Sequence, residues 1–195
     1  MTRVLVIDDH KPSRLHLSRI LPECGYEIAG EAASGKSAVV FACTTSPDVI
    51  LLAVGLPDMD GIQAAQEIMD AKPLPVIIIT SHCDAATIER AKNAGVMGYL
   101  VKPLRAEELR PAIELAISRF QEFATLQEEN STLKETLEAR KIIERAKGML
   151  MEHRKLSEEQ AYSLIKKASM NMRKPMADVA QAILLAGGLL NDKNG

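Results

Sequence analysis

The chain has 195 residues, 47% of them apolar and 26% charged, with a formal net charge of −2. That length suits one large or two small soluble domains, and no apolar run approaches the roughly 18 residues of a membrane span, nor is there an N-terminal leader pattern. Three scattered cysteines, Cys24, Cys43 and Cys83, form no C-x-x-C pair and do not cluster with the four histidines, which disfavours zinc and implies reduced, buried thiols in a cytoplasmic protein.

The first 118 residues alternate strand and helix signals. Val4–Ile7 is a short apolar run ending in Asp8 and Asp9. Residues 12–24 have helical periodicity through Leu15, Leu17, Ile20 and Leu21. Glu27–Ala32 suits a strand, and Ser34–Thr45 a helix. Val49–Leu52 is apolar and β-suited, and Gly61–Ala71 is a helix with Ile62, Ala65, Ile68 and Met69 inward. Val76–Thr80 is nearly all β-branched, Ala85–Ala94 is a helix closed by Gly95, Gly98–Val101 is a strand and Arg105–Ser118 a helix. Uninterrupted apolar strands between helices predict an α/β fold: a doubly wound (βα)5 parallel sheet covered on both faces. Such sheets place their sites at the C-terminal ends of strands.

Residues 119–140 change character. Phe123, Leu126, Asn130, Leu133 and Leu137 alternate spacings of three and four, the pattern of a heptad seam. An asparagine in such a seam favours a two-stranded register at a cost in stability. The seam covers about two heptads, so it serves either a homodimeric coiled coil or a helix packed on its own domain. Residues 141–195 carry no strand signal and predict a small three-helix unit. Ile142, Ile143, Ala146, Met149 and Leu150 continue a helix. Ser157 and Gln160 form a capping-box pattern, opening a helix with Ala161, Leu164, Ile165 and Ala168 on one face. Pro175 suits the start of a last helix, Val179, Ala180, Ile183 and Leu184 form its apolar face, and Gly187-Gly188 is placed to end it.

Residues 141–174 carry nine Lys/Arg against four Asp/Glu. The block fits either a polyanion or a solvated helix face. Arg145, Lys147, Arg154, Lys166, Lys167, Arg173 and Lys174 are the candidate phosphate contacts, with salt-sensitive affinity. Tyr162 is the one Phe, Trp or Tyr of the unit, and its ring either offers a face to a ligand of the basic block or packs between helices. Ala146, Ala161 and Ala168 are read as sites of close helix approach.

In the N-terminal part, Asp8 and Asp9 follow the first strand, and two adjacent carboxylates repel each other unless they share a cation such as Mg²⁺. Thr80 ends the fourth strand with a hydroxyl that can donate to a phosphoryl oxygen. Lys102 ends the fifth, where its ammonium can pair with a phosphoryl group or a carboxylate. Together with the turn Leu56-Pro57-x-x-Asp60-Gly61, these residues resemble the receiver domain of two-component response regulators over roughly residues 1–120. The resemblance implies Mg²⁺ held by Asp8, Asp9 and the Gly55 backbone carbonyl, a switch made by Thr80 and Tyr99, and a sensor histidine kinase as partner. One position departs from it. Where the family has its phosphoacceptor aspartate, this chain has Ala53. A methyl group neither attacks phosphorus nor ligates a metal, so Mg²⁺ binding is expected to be weakened and no phosphotransfer is expected. Asp58 and Asp60 lie past Pro57, displaced from the strand end.

The stretch Ile143–Met151, with Ser157–Tyr162, Ala168-Ser169 and Val179-Ala180, resembles the ANTAR domain, an RNA-binding antitermination module. That implies a dimer engaging paired hairpins of nascent transcripts. The resulting organisation is a receiver over 1–118, a coiled-coil linker over 119–140 and an ANTAR unit over 141–195. Two modes of control follow: a phosphorelay disabled at residue 53, or a phosphate-independent regulator controlled by a sequestering protein. The chain is read as a non-enzyme in either case.

Overall fold

The computed structural model describes residues 1–82 and 84–191, the last five of these by backbone alone. In chain order the elements are β1 (Arg3–Ile7), α1 (Lys11–Glu23), β2 (Glu27–Ala32), α2 (Gly35–Thr44), β3 (Val49–Ala53), α3 (Gly61–Ala71), β4 (Val76–Thr80), α4 (Ala85–Asn93), β5 (Gly98–Val101), α5 (Ala106–Arg154), α6 (Glu158–Met172) and α7 (Met176–Asn191). The strands form one parallel sheet in the order β2-β1-β3-β4-β5, the doubly wound architecture expected from the sequence.

Alternation along each central strand builds two cores. Val4, Val6, Val49, Leu51, Ile77 and Ile79 face α1 and α5, packing with Leu17, Leu21, Leu109 and Ile113. Leu5, Ile7, Ile50, Leu52, Val76 and Ile78 face the other way, onto Ala38 and Ala42 of α2 and Ile62, Ala65 and Ile68 of α3. Both side-chain sets of a strand are buried, which is why these strands are apolar without interruption.

The chain divides into two compact units, Met1–Ala124 and Thr125–Gly195. In the second, Ala146, Leu150, Ala161, Ile165, Val179 and Ala180 form the core. Ala146 and Ala161 are fully buried, so small side chains do sit where helices approach closely. Ser157 accepts from the Gln160 N–H and Gln160 reaches back to the Ser157 N–H, so the predicted capping box is formed.

The structure differs from the sequence reading at four points. The helix read as Arg105–Ser118 does not end there: α5 runs on unbroken through residues 119–140, with no Gly or Pro in that segment to stop it. Gly187-Gly188 does not end α7, which continues to Asn191. Leu15 lies on the solvent side of α1. Cys43 is an exposed free thiol and Cys24 a half-buried one; Cys83 lies outside the described residues.

The turn after β3 fixes the geometry of the sheet edge. The Gly61 N–H donates to the Val54 carbonyl at 2.7 Å. A Cβ added to Gly61 would lie 1.9 Å from the Ala53 carbonyl oxygen. Backbone, unlike a flexible side chain, cannot swing aside. Gly61→Ala should therefore lower the unfolding free energy by about 1–3 kcal/mol, as read from denaturant melts. Unchanged stability would mean that the turn opens freely.

Candidate functional site

β1 and β3 are neighbours at the point where the strand order reverses, the crevice in which doubly wound sheets bind ligands. A cleft of about 840 Å³ opens there, lined by Asp9, His10, Ala53, Gly55, Thr80 and Lys102 among others. The fold thus brings together the strand-end residues singled out in the sequence.

Asp8 is fully buried. Its Oδ1 accepts from the His10 N–H at 3.0 Å. Its Oδ2 lies 2.5 Å from Lys102 Nζ. That contact is ionic in character, because no donor is aligned with this oxygen as in a hydrogen bond. Asp9 is exposed at the rim, and the α1 cap position falls to His10. Arg14, which drew no attention in the sequence, donates to the Asp8 carbonyl at 2.6 Å and the Asp9 carbonyl at 3.1 Å. It holds the acidic loop in shape.

Ala53 ends β3 with 3% exposure, so the place of the expected carboxylate is occupied by a buried methyl. Thr80 Oγ1 donates to the His82 carbonyl at 3.1 Å and accepts from the His82 N–H at 3.2 Å. Tyr99 Oη donates to the same carbonyl at 2.8 Å. The two residues paired as a switch in the sequence meet at one backbone group, and His82 is the member the sequence did not reveal. Its contribution is main-chain, which no residue pattern marks.

Asp58 and Asp60 have structural work. Asp58 accepts from the Gly35 N–H at 2.7 Å and the Lys36 N–H at 3.1 Å, at the start of α2. Partial desolvation acts to raise its pKa, yet these backbone donors together outweigh it and hold the carboxyl below its ordinary value. Asp60 caps α3 through the Ile62 N–H and pairs with Arg90 of α4 at 2.8 Å.

The donor set does not fit a tight Mg²⁺ site. A small hard cation wants carboxylate oxygens near octahedral positions. Here one oxygen of Asp8 faces Lys102, Asp9 is at the rim, and Ala53 has nothing to offer. Among the described residues no three His, Cys, Asp or Glu side chains are grouped to hold a metal.

In the second unit, Arg145, Arg154, Lys166, Lys167, Arg173 and Lys174 are all exposed. None forms a salt bridge among the described residues. Lys147 differs. It is 7% exposed, and its ammonium lies 2.7 Å from Glu158 and 3.0 Å from Glu144. Its charge is already matched, which withdraws it from the set of free phosphate contacts. The hydrogen bond to Glu158, then that to Glu144, raises the Lys147 pKa, and Lys147 lowers that of Glu158. Tyr162 is 44% exposed, so it is not the core residue that one reading made it.

Comparison with known proteins gives the class. Residues 4–114 match the family model of the response regulator receiver domain, and residues 131–184 that of the ANTAR domain. The chain is 43% identical over 190 residues to the transcriptional regulatory protein PdtaR of Mycobacterium tuberculosis, covering 97% of this chain and 93% of that protein. It is 36% identical to the chemotaxis protein CheY of Thermotoga maritima over 57% of this chain and 93% of that one. Among solved structures, the receiver domain of a modulated diguanylate cyclase from Desulfovibrio desulfuricans G20 is similar, with TM-score 0.59 and 34% identity over 62% of this chain and 97% of that one. The chain belongs to the response regulators, with an N-terminal receiver domain and an ANTAR domain as its RNA-binding output.

Two measurements follow from these sites. Ala53→Asp should bind Mg²⁺ more tightly than the chain with alanine, read by isothermal titration calorimetry; equal affinities would refute the ligand argument. For the Lys147–Glu158 pair, the depressed Glu158 pKa gives stability present above about pH 4.3 and lost as pH falls through the folded value. The raised Lys147 pKa gives stability present below about pH 10.4 and lost as pH rises through the folded value. Glu158→Gln should therefore lower the melting temperature of the second unit between these limits and flatten its acid-side dependence. A variant that melts like the parent at pH 7 would count against the pair.

Proposed function

We propose that this chain is a regulator of transcription antitermination, binding paired hairpins of nascent transcripts, whose phosphorylation trigger is disabled at Ala53. The observation that carries this reading is an assembled receiver cleft with Asp8, Lys102 and Thr80 in place around a buried methyl. In this reading residue 53 is the phosphoacceptor position and a sensor histidine kinase is the upstream partner. An acyl phosphate would add roughly two negative charges, drawing on Lys102 and the Thr80 hydroxyl. An alanine allows none of this.

Residues 119–140 act as the linker, and two copies pair along them. Phe123, Leu126, Leu133 and Leu137 are 44–69% exposed, a run of apolar surface that a second helix would cover. The exposed cations of the second unit would contact RNA phosphates, with Tyr162 free to stack on a base. Among the described residues no helix is long and apolar enough to cross a membrane, which agrees with work on transcripts in the cytoplasm.

A second reading has its own support. The Asp8–Lys102 pair and the Thr80–His82–Tyr99 contacts hold the cleft together without a phosphoryl group. Control would then fall to a protein partner that sequesters the regulator. A gel shift on a two-hairpin leader RNA at fixed salt separates the two. This chain and Ala53→Asp are compared with and without acetyl phosphate. Tightening in the aspartate form alone is the expected result. Equal, tight binding by both would favour the protein-controlled reading, and no binding by either would sink the RNA assignment.

A further inference from the structure

A second cleft, of about 540 Å³, lies within the ANTAR unit between the end of α5, α6 and α7. Met149, Leu164 and Ile183 contribute to its walls, one from each helix. Ala168, Ala182 and Ala186 line it with short side chains, Ala182 and Ala186 from exposed positions. Leu164 and Met172 are left 37% and 62% exposed. The rim is polar and mixed, with Arg154 and Lys174 as cations, Asp178 as a carboxylate and the exposed His153 as an imidazole. Among the described residues none of these four is in a salt bridge.

We propose that this groove receives one unstacked nucleobase of the bound RNA. The inference rests on the RNA-binding reading and adds to it a site for the base, framed by two of the candidate phosphate contacts. A base is a flat group with apolar faces and a polar edge, flanked by two phosphodiesters. The groove offers each part a complement. Aliphatic walls and the polarizable sulfurs of Met149 and Met172 cover the faces. Arg154 and Lys174 meet the phosphates. Asp178 accepts from an N–H on the base edge, and edge hydrogen bonding is how single-stranded bases are told apart. The unit's exposed basic residues, Arg145, Lys166, Lys167 and Arg173 besides the groove's own Arg154 and Lys174, favour a polyanion such as RNA over an apolar helix as its occupant.

The test uses the full chain carrying ¹³C-methyl methionine, titrated with each of the four nucleoside 5′-monophosphates and with ribose 5-phosphate. The Met149 and Met172 methyl signals are expected to shift saturably with at least one nucleotide and to stay in place with ribose 5-phosphate. Ala182→Leu, which fills the groove from an exposed position, should weaken that binding about tenfold, the scale of losing contact with one base. Met172→Glu on the opposite wall serves if the first variant melts early, with Met149 as reporter. Asp178→Asn should reorder the four nucleotides. Equal shifts with ribose 5-phosphate would reduce the groove to an anion site and overturn the proposal. So would shifts of the same methyls on diluting the protein alone, which would mean that a second copy covers the groove. A gel shift on hairpins with randomised loops separates the remaining cases. If the pool is retained while neither methyl responds to any nucleotide, the base site falls and RNA binding stands. If the pool is not retained and no methyl responds, the RNA reading falls with it.

Discussion

The receiver depends on the neutralisation of one buried carboxylate. Asp8 has no exposed surface, and a buried charge without a partner is among the most expensive features a small domain can contain. Lys102 supplies the opposite charge at 2.5 Å, from a strand three places away in the sheet. The lysine must cross in front of β3 and β4 to reach it, and so passes the place where Ala53 sits. The sheet order, the cleft and the absence of a carboxylate at residue 53 therefore act on the same ammonium. With an aspartate there, Lys102 would be shared between acids; with alanine, its ion pair is with Asp8 alone. Removing one partner of such a pair costs about 3–5 kcal/mol in typical cases. That gives a stability reason for Asp8 and Lys102 to stay together even where no phosphoryl group is transferred.

The two modes of control differ in what competes for this ammonium. A phosphoryl group works as a switch by offering Lys102 and the Thr80 hydroxyl a better partner than they have. Without one, Thr80 stays with the His82 backbone, Tyr99 points at the same carbonyl, and the loop between β4 and α4 has two hydroxyl anchors. Arg90 adds a tie from α4 to the α3 cap residue Asp60. Every one of these contacts is internal to the domain. A protein partner acting on this chain would have to compete with them from outside the cleft, through exposed surface.

Much of this was legible in the sequence, because it is written in local patterns. The bounds of Val76–Thr80 and Gly98–Val101 follow from apolar runs bracketed by turn residues, and those of Gly61–Ala71 from helical periodicity behind the Asp60 cap; the structure reproduces them. The capping box at Ser157 is a four-residue rule and needs no tertiary information. The cleft residues could be read because strand ends converge by topology. What could not be read depends on which neighbour arrives from elsewhere in the chain. Lys147 belongs to a basic run and reads as a surface charge, yet Glu158, brought up at the first turn of α6, meets it in a nearly buried position. His82 acts through its backbone, and Arg14 through its reach to two carbonyls. The unbroken course of α5 follows from what the segment 119–140 lacks, which is any residue to stop a helix. The two glycines at 187–188 read as a stop, but glycine inside a helix costs only about 1 kcal/mol and leaves the helix free to continue.

The withdrawal of Lys147 sharpens the physics of the output domain. The exposed cations, Arg145, Arg154, Lys166, Lys167, Arg173 and Lys174 among them, give an attraction for RNA that falls steeply with salt and is indifferent to sequence. Discrimination among transcripts needs contacts with bases, and for stacking the unit offers Tyr162 and, on the groove's rim, the His153 ring. The open apolar volume between α5, α6 and α7 is its other surface with the dimensions and chemistry for a base. Its short alanine side chains leave packing undone in a domain whose core is already small, and burial of that surface is free energy not spent on folding. Left uncovered in the free unit, it is available to a ligand, and the affinity it adds would persist at salt concentrations that strip the phosphate contacts away.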